Sequence, residues 1–241
     1  MVRVRGCGGR EQTYHAWGGI AKDSLETNRR YNPSGEILND AGDIVGYYKD
    51  QTDNYRLNNY QAFLTQRLGD NLFLNLAFHY YKGDGYYEQY KNGEVLARYA
   101  LKPFDKVVDG QTVTVEESNL VRRKIMDNYF TGGIFSLDYD KGPLRVSLGG
   151  AANIYDGKHY GRVMWVKDYA GDDMFTAEHE YYRNKGTKKD ANIYLKANWE
   201  VASGFSLFGD VQYRHINYTI KGTNDKWDKA AGAMQHIDVD N

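Results

Sequence analysis

The chain has one cysteine, Cys7, in 241 residues, so no internal disulfide can form. The thiol reads as incidental, in an unstructured end. Prolines number only 3, which suits long strands and tight turns, because a proline inside a strand removes a ladder donor. Neither sign of charge is in surplus, with 31 basic and 32 acidic residues. That balance and the lack of a ribonucleoprotein-type motif exclude an electrostatic footprint for nucleic acid. No run approaches the roughly 18 apolar residues of a transmembrane helix. The first residues, Met1 to Gly9, are basic but lack the apolar stretch of a signal peptide, so no export signal is read there. The mean hydropathy of -0.73 looks water-soluble, yet a barrel with one lipid-facing side and wet loops averages out the same way.

Arrangements that carry catalysis or hold metals are also missing. The six histidines are scattered, and His179-Glu180 lacks the second histidine of a zinc-protease helix. Gly83-Asp84-Gly85 begins like a dinucleotide fingerprint but runs into Tyr86-Tyr87-Glu88 with no helix to follow. Asp225, Asp228, Asp238 and Asp240 lack the spacing and glycine of a calcium loop. No Ser-His-Asp or Cys-His set stands out, and Glu116-Glu117 lies in a polar stretch. The expectation is a protein that is not an enzyme and holds no cofactor or metal.

What the chain does have is tyrosine, 22 of them, with 26 glycines. It also has three apolar units that each reverse at a short turn. The first runs from Tyr60 to Tyr80 and turns at Gly69-Asp70-Asn71. The second runs from Tyr129 to Ile154 and turns at Asp140-Lys141-Gly142-Pro143. The third runs from Ala191 to Tyr213 and turns at Ala202-Ser203-Gly204. Long tyrosine-rich excursions, 82–126 and 155–190, lie between them. Short and long connections that alternate put all short turns at one end of a meander and all long loops at the other.

Each unit alternates with period two. Leu72, Leu74, Leu76, Phe78 and Tyr80 oppose Phe73, Asn75, Ala77 and His79. Leu144, Val146, Leu148, Gly150 and Ala152 oppose Arg145, Ser147, Gly149, Ala151 and Asn153. Ile193, Leu195, Ala197 and Trp199 oppose Asn192, Tyr194, Lys196 and Asn198. Aromatics border these stretches (Tyr60, Tyr80, Tyr139, Trp199, Phe205, Tyr213), as interfacial girdles do. Small residues hold mid-strand places on the apolar face (Gly150, Ala152, Ala197, Gly209). A packed protein core fills such places with bulk, whereas lipid fills gaps for itself.

The predicted fold is all-β: an antiparallel up-and-down meander of about six strands, forming part of a large transmembrane β-barrel with short periplasmic turns and long extracellular loops. Residues 1–53 read as a polar, loop-like extracellular segment, 54–222 as the partial barrel, and 223–241 as an acidic, loop-like tail. Thr112 to Val115 reads as a short β-like stretch, Asn32-Pro33-Ser34-Gly35 as a turn, and the region from Thr13 to Leu25 as harbouring a helical turn.

Five segments carry a family resemblance: Tyr14-His15-Ala16-Trp17, Gly83 to Tyr90, Asp127 to Gly133, Tyr155 to Gly161 and Glu180 to Asn184. They resemble the barrel of TonB-dependent outer-membrane receptors of the Bacteroides type, over roughly residues 10–225. In that family a barrel of about 22 strands encloses a plug. TonB moves the plug to draw a scarce nutrient inward, usually a metal chelate (siderophore) or cobalamin. The resemblance implies a mid-barrel piece in the cell outer membrane. Its partners would be outer-membrane lipid and the remainder of the receptor's barrel and plug. TonB would be reached only through the plug segment, which this sequence lacks. Unclosed strand edges in hydrocarbon lead to the expectation that the piece neither inserts stably nor transports alone.

Recognition residues are expected in the loops. Trp17, Tyr86, Tyr87, Tyr90, His159, Tyr160, Trp165, Tyr181 and Tyr182 are candidates to stack on a ligand, with Arg162 or Arg183 facing an anionic group. The same aromatics could instead pack the loops together. Arg145, Lys196, Asp210 and Arg214 are expected to pair across strands or contact the plug. The competing reading is a soluble β-rich ligand- or carbohydrate-binding module.

Overall fold

Long runs of alternating residues with few prolines favour uninterrupted strands. The computed structural model, which describes residues 1–169 and 179–241, is all-β and antiparallel. Its strands are β1 (Val2–Tyr14), β2 (Glu36–Leu38), β3 (Ile44–Tyr47), β4 (Thr52–Arg67), β5 (Leu72–Val95), β6 (Phe104–Val108), β7 (Gln111–Val115), β8 (Glu117–Lys141), β9 (Leu144–Val166), β10 (His179–Ala202), β11 (Phe205–Asp228) and β12 (Ala233–Asp240). Eight of them form one sheet in the order β1-β4-β5-β8-β9-β10-β11-β12. The sheet is not closed, and β1 and β12 are its two ends. The pairs β2-β3 and β6-β7 are separate two-stranded hairpins. The only helical pieces among the described residues are one turn, α1 (Ser24–Thr27), capped by Asp23, and a 3₁₀ turn at Leu96–Tyr99.

The three short turns fall at one end of the sheet. β4 and β5 are joined at residues 68–71, β8 and β9 at Gly142-Pro143, and β10 and β11 at Ser203-Gly204. Gly142 and Gly204 have φ of +57° and +77°, a left-handed backbone that side chains disfavour. The opposite end carries the long connections. It also carries one short connection that the sequence reading did not foresee, residues 229–232 between β11 and β12.

Several expectations need correction. The sheet has more than six strands. Residues 1–53 are not all loop, because Val2–Tyr14 pairs with β4 along its full length. Cys7 therefore sits, exposed, in a strand. The tail is not all loop either, because β12 pairs with the far part of β11. The excursions are largely strand: β5 and β8 pair from Leu72↔Tyr139 out to Val95↔Glu117, and β9 and β10 stay paired out to Val163↔His179. Tyr60 and Tyr80 consequently lie mid-strand. Residues 170–178 of the second excursion are outside the described residues.

Registers align the apolar residues into one band. Val2, Leu64, Leu76, Phe135, Gly150, Ile193 and Tyr213 occupy a single rung, each directly opposite the next. The rungs on its short-turn side bring Leu74, Leu137, Leu148, Leu195 and Val211 together, then Leu144, Trp199 and Leu207. No described residue covers this face. Phe78 is 53% exposed, Leu195 45% and Val211 67%. A compact monomer of 27.7 kDa would expose about 11,000 Å², whereas this one exposes 16016 Å². Among the described residues the sheet is a single layer, with no second layer against the band.

The polar face of the same segments is cross-linked. Asp138 accepts from Ser136 Oγ (2.7 Å), Ser147 Oγ (2.5 Å) and Asn75 Nδ2 (2.9 Å). Arg214 grips Asp190 with two nitrogens, at 2.9 and 2.5 Å, and Lys196 lies 3.9 Å from Asp210. Gly149 sits beneath the Tyr194 ring, where a Cβ would collide with it.

The buried apolar cluster lies elsewhere, at the long-loop end. Leu96, Tyr99, Leu101 and Phe104 from the β5-to-β8 connection pack on Leu120, Val163, Val166, Tyr181 and Tyr182.

Candidate functional site

Beyond the apolar band the alternating residues on both faces become tyrosines and charges. One rung on the polar face runs from Asp53 to Tyr87, then Lys124 and Gly161, across β4, β5, β8 and β9. Glycine at 161 leaves room for the rings of Tyr181 and Tyr182, which occupy the space a Cβ would take. The result is a cleft of about 540 Å³ lined by Glu11, Asp53, Tyr55, Tyr87, Lys124, Met126, His159 and Tyr182.

Its walls are held from behind. Trp17 meets Tyr87 edge-on at 5.0 Å and stacks on His15 at 4.0 Å. His15 is itself 2% exposed. Arg122 donates to Gln89 Oε1 (3.1 and 2.9 Å) and to Tyr99 Oη (3.1 Å). Tyr99 donates to Glu94 Oε2 at 2.9 Å. Tyr99, Tyr181 and Tyr182 then pack in sequence, tilted and edge-on, with ring centres 4.8 and 5.0 Å apart.

Burial sets the protonation of this region. It pushes all three tyrosine hydroxyls well above their ordinary value. Burial also opposes ionisation of Glu94, but Lys91, the Tyr99 hydroxyl and Arg122 prevail and hold the carboxyl below its usual range. Burial, with the like charges of Arg122 and Lys91, pushes the Lys124 ammonium down to about 8; contact with Asp225 opposes that shift. Burial lowers His159 as well, and its Nε2 has no hydrogen-bond partner among the described residues. The cleft thus offers stacking rings, charges of both signs and one unsatisfied ring nitrogen. That is equipment for holding a ligand.

The residues expected to bind ligand do not all meet here. Tyr87, His159 and Tyr182 line the cleft, Trp17 braces it, and Tyr181 is buried behind it. Tyr86 borders it, but its ring alternates to the other face, where the Arg123 guanidinium covers it at 4.3 Å. Tyr90 stacks on Trp165 at 6.2 Å and meets Tyr48 at 5.8 Å on that face too. Tyr160 is there as well, with Arg183 at 4.1 Å and Arg162 at 5.3 Å. Arg183 is tied to Glu180 at 2.8 and 2.7 Å. Part of the set therefore does pack loop-end strands on one another. Glu11, Asp53, Tyr55, Lys124 and Met126 were not anticipated. Their signal was period-two alternation in step with Tyr87, hidden while these segments were read as loop.

No family model matches the chain, and no curated protein matches it.

Proposed function

We propose that this chain is a stretch of wall from an outer-membrane β-barrel of the TonB-dependent receptor kind, serving uptake of a scarce nutrient such as a metal chelate (siderophore) or cobalamin. The observation that carries this reading is the bare apolar band. Leu72 to Tyr80 spans nine positions, and a strand needs about 9–11 residues to cross a bilayer. Tyr60 and Tyr80 border the band on the far side, and one same-face step further out Tyr129 stands level with Lys82 and Asp156 of the ion pairs Lys82–Asp127 and Lys185–Asp156. A bilayer core, an interface and water follow one another in that order.

On this reading the polar face is lumenal, facing the receptor's plug, and the cleft lies outside the cell, where a nutrient is first captured. The strands at the two ends of the sheet meet the remainder of the barrel. TonB would act through the plug and not through these strands, and no catalytic step is involved. The cleft alone would also suit a soluble binding module, but such a module needs a second layer over Leu195, Val211 and their neighbours.

Purification without detergent tests the proposal. The chain is expected to aggregate in water and to become monodisperse and β-structured in detergent micelles. A monomer that stays soluble and melts cooperatively without detergent would overturn the membrane assignment.

A further inference from the structure

On the face that carries the apolar band, one rung breaks a rule of sheet stability. Lys158 is directly opposite Lys185, which is directly opposite Lys221, with Asp127 opposite Lys158 and Asp238 opposite Lys221 at the two ends of the row. Like charges placed so are destabilising. Lys185 has Asp156 at 2.8 Å and Lys221 has Asp238 at 3.6 Å. Lys158 forms no ion pair with a described residue, and neither does Lys189 on the same face. Both are exposed. Arg162 reaches Glu180 only at 4.0 Å, and its buried Nε has no hydrogen-bond partner among the described residues.

The height of this patch fits a specific environment. The lysine rung is one same-face step, about 7 Å along the strand, beyond the rung of Tyr129. The headgroup layer on each side of a bilayer is about 5–8 Å thick. Arg162 faces this side, away from the cleft, so a ligand held in the cleft does not explain its cationic group.

We propose that the outward face of β9, β10 and β11 just beyond the aromatic border binds the phosphate groups of anionic lipids in the surrounding leaflet. Lys158 makes the primary contact and Lys221 adds to it, whereas Lys189, level with Tyr80, and Arg162, two same-face steps further out, lie outside that headgroup layer. Bound phosphates relieve the like-charge rung, so lipid and sheet stabilise each other. The inference rests on the membrane reading above.

The test uses the full chain refolded in neutral detergent, with phosphatidylglycerol or phosphatidylcholine added and retained lipid counted by native mass spectrometry. Phosphatidylglycerol is expected to be retained preferentially. The preference should fall roughly five-fold per lysine removed in Lys158→Gln and Lys221→Gln. Lysine-to-arginine versions keep it, and Lys196→Gln on the polar face leaves it unchanged. Equal retention of both lipids by the micelle-bound chain overturns this proposal and leaves the membrane reading standing. A chain that never enters micelles sinks both. A preference that survives both substitutions shows that the phosphates sit elsewhere and also overturns the proposal.

Discussion

The two ends of the sheet handle apolar surface in opposite ways. At the short-turn end, rows of Leu, Val and Ile stand bare on one face while hydrogen bonds and ion pairs cross-link the other. At the long-loop end, Leu96 and Leu120 are 0% exposed within a small core assembled from a 3₁₀ turn and four strands. The same hydrogen-bonded ladder runs through both. What changes is how the apolar side chains are covered. One end is finished by its own packing, and at the other no described residue packs over the apolar rows.

Substitutions that affect one end and spare the other test that contrast. The largest effect is expected from Leu120→Ala, which empties a fully buried place and should destabilise the loop-end core by on the order of 2–5 kcal/mol. Limited proteolysis should then cut near residues 96–116 while the band stays protected in detergent. Next comes Leu195→Arg, about 2–4 kcal/mol if that position lies near the bilayer midplane. Asn192→Arg, on the opposite face, should have little effect. The contrast is read as the fraction of chain recovered folded from micelles. The smallest effect is acidification. Burial holds His15 and His159 below the ordinary imidazole value of about 6.5, so each is neutral when folded and takes up a proton on unfolding. Their contribution is fully present above that value and is lost as pH falls through and below it. Hydrogen exchange at pH 7.5 and pH 5 should show faster opening around the cleft at the lower pH and little change in the band.

The same contrast explains which features could be read from sequence. In the band, apolar-polar alternation was visible because one face is apolar and the other polar; Leu72 to Tyr80 and Leu144 to Ala152 were separated into their two faces from it. The turns at Gly142-Pro143 and Ser203-Gly204 were legible because the chain reverses there with a glycine in left-handed backbone. Beyond Tyr80 and Tyr129 both faces are polar, so Gly83 to Tyr90 and Leu120 to Lys124 lose their period although their ladder continues. Hydrophobic periodicity reports burial, and hydrogen bonding leaves no mark of its own. The cleft was half legible for that reason. Tyr87 and His159 drew attention as aromatics, whereas Lys124 and Asp53 are polar residues whose meaning depends on register. Val2–Tyr14 was missed for a related reason: its glycines, Gly6, Gly8 and Gly9, read as irregular chain, and only pairing with β4 makes it a strand.

The central claim is that the apolar rows face lipid. With Cys7→Ser removing the native thiol, single cysteines at 192 through 197 can be placed one at a time and challenged in micelles with lipid-soluble and water-soluble thiol reagents. The account predicts strict alternation, with Ile193→Cys, Leu195→Cys and Ala197→Cys reached from the lipid phase and Asn192→Cys, Tyr194→Cys and Lys196→Cys reached from water. Protection of positions 193, 195 and 197 from both reagents would mean that protein covers the band, and would contradict the account.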